Sequence, residues 1–167
     1  MGRTKKNQIV DLVEPYQAKL LTPFAVLGIK TEEDWLTAID YLPVDMPTLA
    51  PQTLLAKEVC RQLEAYLAKP DFIFDLSLHI SGTTHQQRVR QSIQAIPSGE
   101  TSSYAEIATQ LHFAPRAVGR ACGANRIPII IPCHRVIAKN GGLGGFMNAS
   151  DGDPLEIKRW LLRHESA

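Results

Sequence analysis

Cysteine is scarce in this chain, and the three present, Cys60, Cys122 and Cys133, show none of the close spacing a metal site needs. An odd count is also a poor disulfide framework, so reduced thiols are expected and a disulfide-stapled scaffold is excluded. No apolar run approaches the roughly 18 residues of a membrane span, and the polar residues 1–7 lack the apolar core of a signal peptide. These absences read as a cytoplasmic protein with no membrane segment. Repeats and low-complexity tracts are missing too. Excess charge of one sign is absent overall, with a formal net charge of +1, yet the halves differ. Residues 1–82 hold eight Lys and Arg against eleven Asp and Glu, whereas residues 83–167 hold ten against six. The second half is basic enough for an anionic partner, although such a balance also suits an ordinary solvated surface.

What is present organises into two parts. With 167 residues, 44% of them hydrophobic, the chain can bury one core or two small ones. Apolar pieces over residues 16–39, broken at Thr22-Pro23 and at Thr31-Glu32-Glu33-Asp34, predict short antiparallel strands joined by turns. A proline-rich connector over residues 42–51 comes next. Leu54, Leu55, Glu58, Val59, Gln62, Leu63, Tyr66 and Leu67 recur with helical period, and residues 72–80 alternate like a strand. The first 81 residues therefore read as an α+β domain, with the boundary at Ser81-Gly82. Beyond it, helices are expected over residues 84–96, 104–111, 115–124 and 154–164, which makes residues 82–167 a mainly helical domain. The second and third of these helices, joined by the short His112-Phe113-Ala114 turn, have the form of a helix-turn-helix. Ser103 and Glu106 make a capping-box pattern ahead of the first, and Pro115 suits the first turn of the second. On that second helix Val118, Ala121, Cys122 and Asn125 share one face, leaving Arg116, Ala117, Arg120, Gly123 and Ala124 on another.

The chemistry concentrates in Ile131-Pro132-Cys133-His134-Arg135-Val136. A thiol next to an imidazole in apolar surroundings can become a thiolate nucleophile. Alone, the pair reads equally well as buried filler, because free cysteine is among the most buried residues. The apolar stretch over residues 127–131 predicts a buried extended segment before it, and Asn140-Gly141-Gly142 a turn after it.

An ordered set of motifs accompanies that hexapeptide. It runs from Ile96-Pro97, Gly99-Glu100-Thr101 and Ser103-Tyr104 through Arg116-Ala117-Val118-Gly119 and Asn125. It continues to Pro132-Cys133-His134-Arg135-Val136, then Lys158, Trp160-Leu161-Leu162 and His164-Glu165. In this order the segments resemble the O6-alkylguanine-DNA alkyltransferases (methylated-DNA–protein-cysteine methyltransferases), over about half the chain. The resemblance implies stoichiometric repair of O6-alkylguanine in double-stranded DNA by irreversible alkyl transfer to Cys133, and it leaves open the preference between that lesion and O4-alkylthymine. It implies no cofactor and a monomer docked in the minor groove largely without regard to sequence.

The same resemblance implies a role for each residue. Glu165 orients His134, His134 takes the Cys133 proton through a water, and Asn125 fixes that water and the local turn. Tyr104 donates to N3 of the flipped base, and the carbonyls of Cys133 and Val136 accept its exocyclic amine. Phe146 and Met147 border the alkyl pocket. Arg116 is the finger that fills the gap left by the base, and Ala117, Arg120 and Gly123 share its DNA-facing surface. Arg135 reads as structural, tying down the active-site turn. The chain departs from the family at His85 and Arg90, where many relatives carry aromatic residues, and in the longer loop over residues 147–154, which lacks the serine some relatives place near Met147. Two rival functions compete with repair: a lesion-binding relative without chemistry, which would carry tryptophan in place of Cys133, and an unrelated Cys-His hydrolase.

Overall fold

A computed structural model describes residues 13–138, 140–144 and 153–166. Three antiparallel strands, β1 (Ala18–Leu21), β2 (Val26–Glu32) and β3 (Trp35–Leu42), form a meander in the order β1-β2-β3. The acidic break expected after Thr31 is the β2–β3 turn, with Glu33 at φ 53°. Helix α1 (Leu54–Ala68), begun by the Thr53 side chain accepting from the Ala56 N–H, buries Val59, Gln62, Leu63 and Tyr66 of the periodic set together with Ala56 and Cys60, whereas Leu54, at its first turn, is exposed. Four further helices follow among the described residues: α2 (Thr84–Gln94), α3 (Tyr104–Leu111), α4 (Pro115–Gly123) and α5 (Asp153–Ser166). The architecture is α+β, and the two halves share one continuous apolar core reaching from Ala18 to Leu161.

Residues 72–80 correct the expectation of a strand. The alternation is real, since Phe72, Phe74, Leu76, Leu78 and Ile80 are half-buried and their neighbours exposed. Only one bridge forms, however, between Leu36 and Leu78. The buried Gln62 amide takes the place of a strand partner: its Nε2 donates to the Asp75 carbonyl and its Oε1 accepts from the Asp75 N–H, both at 2.9 Å. Residues 127–131 are likewise no extended segment. They form a tight turn closed by the Ile131 N–H on the Ile127 carbonyl at 3.0 Å, with Ile129 at φ 73°. The capping box is half made at Ser103, whose side chain accepts from the Glu106 N–H while Glu106 accepts from Ser102. Its complete form lies at Thr83 and Gln86, ahead of α2.

Two connections position the segment that carries Cys133. Strand β4 (Ser102–Ser103) pairs in parallel with β5 (Val136–Ile137), which brings Tyr104, the first residue of α3, beside it. The Ile39 N–H donates to the Arg126 carbonyl at 2.9 Å, fastening the N-terminal sheet to the turn that leads into the same segment.

Candidate active site

A short 3-10 turn over Cys133–Arg135 holds the thiol and the imidazole, both buried, at 3% and 0% exposure. Its entry is built by Asn125 at the end of α4. The Asn125 Nδ2 donates to the Ile131 carbonyl at 2.9 Å, and its Oδ1 accepts from the Ile127 N–H at 3.0 Å. One amide thus clamps both ends of the turn that contains Ile129. Left-handed backbone at a β-branched residue costs about 1–3 kcal/mol and persists only when its surroundings over-determine it. The Asn125 clamp supplies that determination.

Behind the turn lies a buried charge network. The His134 Nε2 is 2.8 Å from the Glu165 Oε2. Arg135 donates to both Glu165 oxygens, Nε to Oε1 at 2.8 Å and Nη2 to Oε2 at 3.0 Å, and to the Ile96 carbonyl at 2.7 Å. The expected structural role of Arg135 is therefore seen through a carboxylate and a carbonyl together. Burial would raise the Glu165 pKa, but the hydrogen bonds from His134 and Arg135 outweigh it and bring it down to about 2. Glu165 is an acceptor-only carboxylate at neutral pH, so the proton on this side of the ring belongs to Nε2. Burial lowers the His134 pKa, with the Glu165 hydrogen bond acting against it. The resting imidazole is then neutral, and Nδ1 carries the lone pair. That Nδ1 is buried and bonded to no described group.

The thiol is protonated at rest. Burial raises the Cys133 pKa, and the Asn125 amide and the Lys158 ammonium draw it partly back. Lys158 is fully buried on α5 and donates to the carbonyls of Val136 at 2.7 Å and Leu143 at 2.5 Å. Its ammonium lies 5.8 Å from the centre of the Tyr104 ring. Burial lowers its pKa to about 8, against the opposing pull of Cys133 and Cys122. Burial raises the Tyr104 pKa, with Cys122 and Cys133 adding to it. Gly144, at φ +66°, packs so close to Tyr104 that a Cβ there would sit 2.9 Å from its Cε2. The Cys133 carbonyl already accepts from the Val136 N–H.

The structure thus gathers Cys133, His134, Glu165, Asn125, Tyr104 and Val136. On α4 it separates a buried face of Val118, Ala121, Cys122 and Asn125 from an outer one, with Arg116 and Arg120 exposed and Ala117 and Gly123 half-buried. Phe146, Met147 and most of the long loop lie outside the described residues.

Two members escaped the sequence reading as site residues. Lys158 carried a signal, since it stands among Leu155, Ile157 and Leu161 on the buried face of α5, where a cation needs a reason. Tyr66 carried none. Its hydroxyl donates to the Glu165 Oε2 at 2.7 Å from across the core, and its ring packs on Phe74 and His164. Tyr66→Phe keeps the ring and removes one hydrogen bond to a charged group, for an expected loss of about 2 kcal/mol. Urea denaturation checks this, and an unchanged midpoint would show the bond to be energetically idle.

The same segments are matched in other proteins. The sequence model described as "6-O-methylguanine DNA methyltransferase, DNA binding domain" matches residues 84–167. The constitutive methylated-DNA–protein-cysteine methyltransferase of Bacillus subtilis (strain 168) is 38% identical over 160 residues, covering 90% of this chain and 94% of the relative. The methylated-DNA–protein-cysteine methyltransferase of Methanosarcina acetivorans is 35% identical over 159 residues, covering 91% and 99%. Among solved structures, Mycobacterium tuberculosis OGT in complex with DNA superposes with a TM-score of 0.76 at 38% identity, over 89% of this chain and 91% of the other. A similarity that spans both halves, and not the hexapeptide alone, places this chain in the O6-alkylguanine-DNA alkyltransferase (methylated-DNA–protein-cysteine methyltransferase) family.

Proposed function

We propose that this protein repairs DNA by moving the alkyl group of O6-alkylguanine irreversibly onto Cys133, once per molecule, with O4-alkylthymine as a second substrate. The observation that carries the reading is the buried Cys133–His134 turn, in which Glu165 holds the Nε2–H and leaves the Nδ1 lone pair for the thiol proton. The S–C bond forms as the C–O6 bond breaks. The electron pair returns to the guanine, Tyr104 donates toward N3, and the Cys133 proton passes to His134. This balances without a cofactor. The product is a thioether, which has no easy way back, so the protein does not turn over. The Val136 carbonyl, fixed by Lys158, and the Cys133 carbonyl select the exocyclic amine of guanine.

Base flipping brings the lesion to a thiol this deeply buried. Helices α3 and α4 act as a helix-turn-helix whose outer face, with Arg116, Ala117, Arg120 and Gly123, enters the minor groove. Readout there is degenerate, so binding is driven by phosphates and largely independent of sequence. Residues 82–167 carry DNA binding and transfer, and residues 1–81 support them as a structural domain. Phe146 and Met147 close the alkyl pocket, and the protein works as a cytoplasmic monomer.

Incubation with excess duplex carrying O6-methylguanine is expected to convert no more than one lesion per protein molecule. Continued turnover would favour a hydrolase instead. Arg116→Ala separates flipping from chemistry. It is expected to slow repair in duplex DNA much more than reaction with free O6-benzylguanine, because unstacking costs a few kcal/mol that a free base does not incur. Equal losses on the two substrates would assign Arg116 to the pocket or to folding.

A further inference from the structure

We propose that a recess between the N-terminal sheet and helix α2 binds one small tetrahedral oxyanion of the phosphate class, with the Arg90 guanidinium as its floor. The recess holds about 220 Å³ and includes Glu32, Thr37, His79, Ser81 and Arg126 in its wall. It shares no residue with the Cys133 turn or its charge network.

Arg90 is a permanently charged group at 6% exposure. A cation so placed calls for an anion. Among the described residues no carboxylate lies within ion-pair distance of it, every such pair being made elsewhere. A guanidinium offers five N–H donors, and the one bond seen among the described residues runs from Nη1 to the Ser81 carbonyl at 3.1 Å. Burial, with nothing set against it, lowers the Arg90 pKa, consistent with a cation whose counter-charge is not supplied by the protein.

The backbone passes close to this group. Gly82 has φ +139°, and a Cβ there would sit 2.5 Å from the Gln86 Oε1 and 3.1 Å and 3.4 Å from the Arg90 Nη1 and Nη2, so a residue without a side chain lets both the Gln86 amide and the guanidinium lie against the chain. Arg126 adds a second cation at the exposed rim, His79 a further donor, and Ser81 its hydroxyl, while the Thr37 hydroxyl in the wall donates to the Lys30 carbonyl. Glu32 is the one carboxylate in the wall, which leaves two guanidinium groups against one negative charge. The volume is several times the ~30 Å³ share of a water molecule, enough for one oxyanion with part of its hydration. Planar, forked guanidinium donors match the edges of a tetrahedral oxyanion.

The test titrates sodium phosphate into the full-length protein at constant ionic strength set by sodium chloride, following arginine Nε–H resonances by NMR. Saturable shifts are expected, led by Arg90. Arg126→Gln, at the exposed rim and neutral for folding, should weaken phosphate binding several-fold, Arg90→Gln should abolish it, and Arg61→Gln on the surface of α1 should leave it unchanged. An unmodified DNA duplex distinguishes the sources of phosphate. Failure to displace the bound anion identifies a free oxyanion, and displacement with the same Arg90 shift assigns the site to a DNA phosphodiester. Shifts that rise without saturation, or that survive in Arg126→Gln and Arg90→Gln alike, would overturn the site. None of these readouts depends on alkyl transfer, so the outcome is independent of the proposed repair reaction.

Discussion

Cys133→Ser is expected to abolish alkyl transfer while leaving affinity for a lesion-bearing duplex within a few-fold. The thiol lies at 3% exposure behind the turn that Asn125 clamps, so it contributes no phosphate contact. The serine hydroxyl is nearly isosteric but far less acidic, and its hard oxygen is a much poorer nucleophile toward a saturated alkyl carbon than a thiolate. Cys60→Ser and Cys122→Ser are expected to remain active. Cys60 is held unreactive by burial, which lifts its pKa to about 11. Cys122, closer to the site, is pushed to about 12 by burial and by Cys133, and unlike Cys133, whose pKa burial also raises, it lies outside the turn that carries His134, the base oriented by Glu165. Quantitative transfer assays and duplex titrations on the three variants check this. Residual repair by Cys133→Ser would move the chemistry to another residue.

Glu165 carries the second large expected effect, because in the proposed mechanism one carboxylate serves both catalysis and folding. Glu165→Gln puts a neutral amide where His134 needs an acceptor for its Nε2–H, and the preferred tautomer is no longer enforced. Loss of correctly placed acid–base assistance is worth about a hundredfold or more. The slowing is expected to be equal for duplex DNA and free O6-benzylguanine, in contrast to Arg116→Ala. Glu165→Ala goes further and strands the Arg135 guanidinium against a vacated site, for an expected loss of about 3–5 kcal/mol.

The pH dependence of stability has a definite sign. The folded-state pKa of Glu165, about 2, lies below its ordinary 4.5, so its contribution is present above pH 4.5 and is lost as pH falls toward 2. His134 is held neutral by burial below its ordinary 6.5, so below that pH the unfolded chain binds the extra proton and stability declines further. Wild-type protein is expected to lose stability steadily from about pH 6.5 downward, and Glu165→Gln to show a shallower decline below pH 4.5. Parallel curves would show that Glu165 is not the titrating group.

Legibility in the sequence tracked the range of the interactions. The helices of the second half were readable because their period, caps and turns are local: Tyr104–Leu111 and Pro115–Gly123 fall where Ser103, the 112–114 turn and Pro115 put them. The Cys133–Arg135 turn was readable because its motif is contiguous. Residues 72–80 misled because a glutamine side chain on α1 replaces a strand partner, and burial alternation alone cannot tell the two apart. Residues 127–131 misled because a run of isoleucines carries strand propensity, while Asn125 imposes a turn that propensity disfavours. Tyr66 was invisible because its partner is 99 residues away, and a tyrosine on the apolar face of a helix reads as core. Arg90 was noticed only as a departure from aromatic residues, and its recess needed the sheet, the linker and α4 brought together.

The central claim is most directly tested by weighing. The intact protein is incubated with a duplex carrying one O6-methylguanine, its mass is measured, and the modified peptide is then sequenced by fragmentation. One methyl group per molecule, located on the Cys133 sulfur and absent when the duplex carries unmodified guanine, is the expected result. No gain in mass, or a methyl group on Cys60 or Cys122, would contradict it.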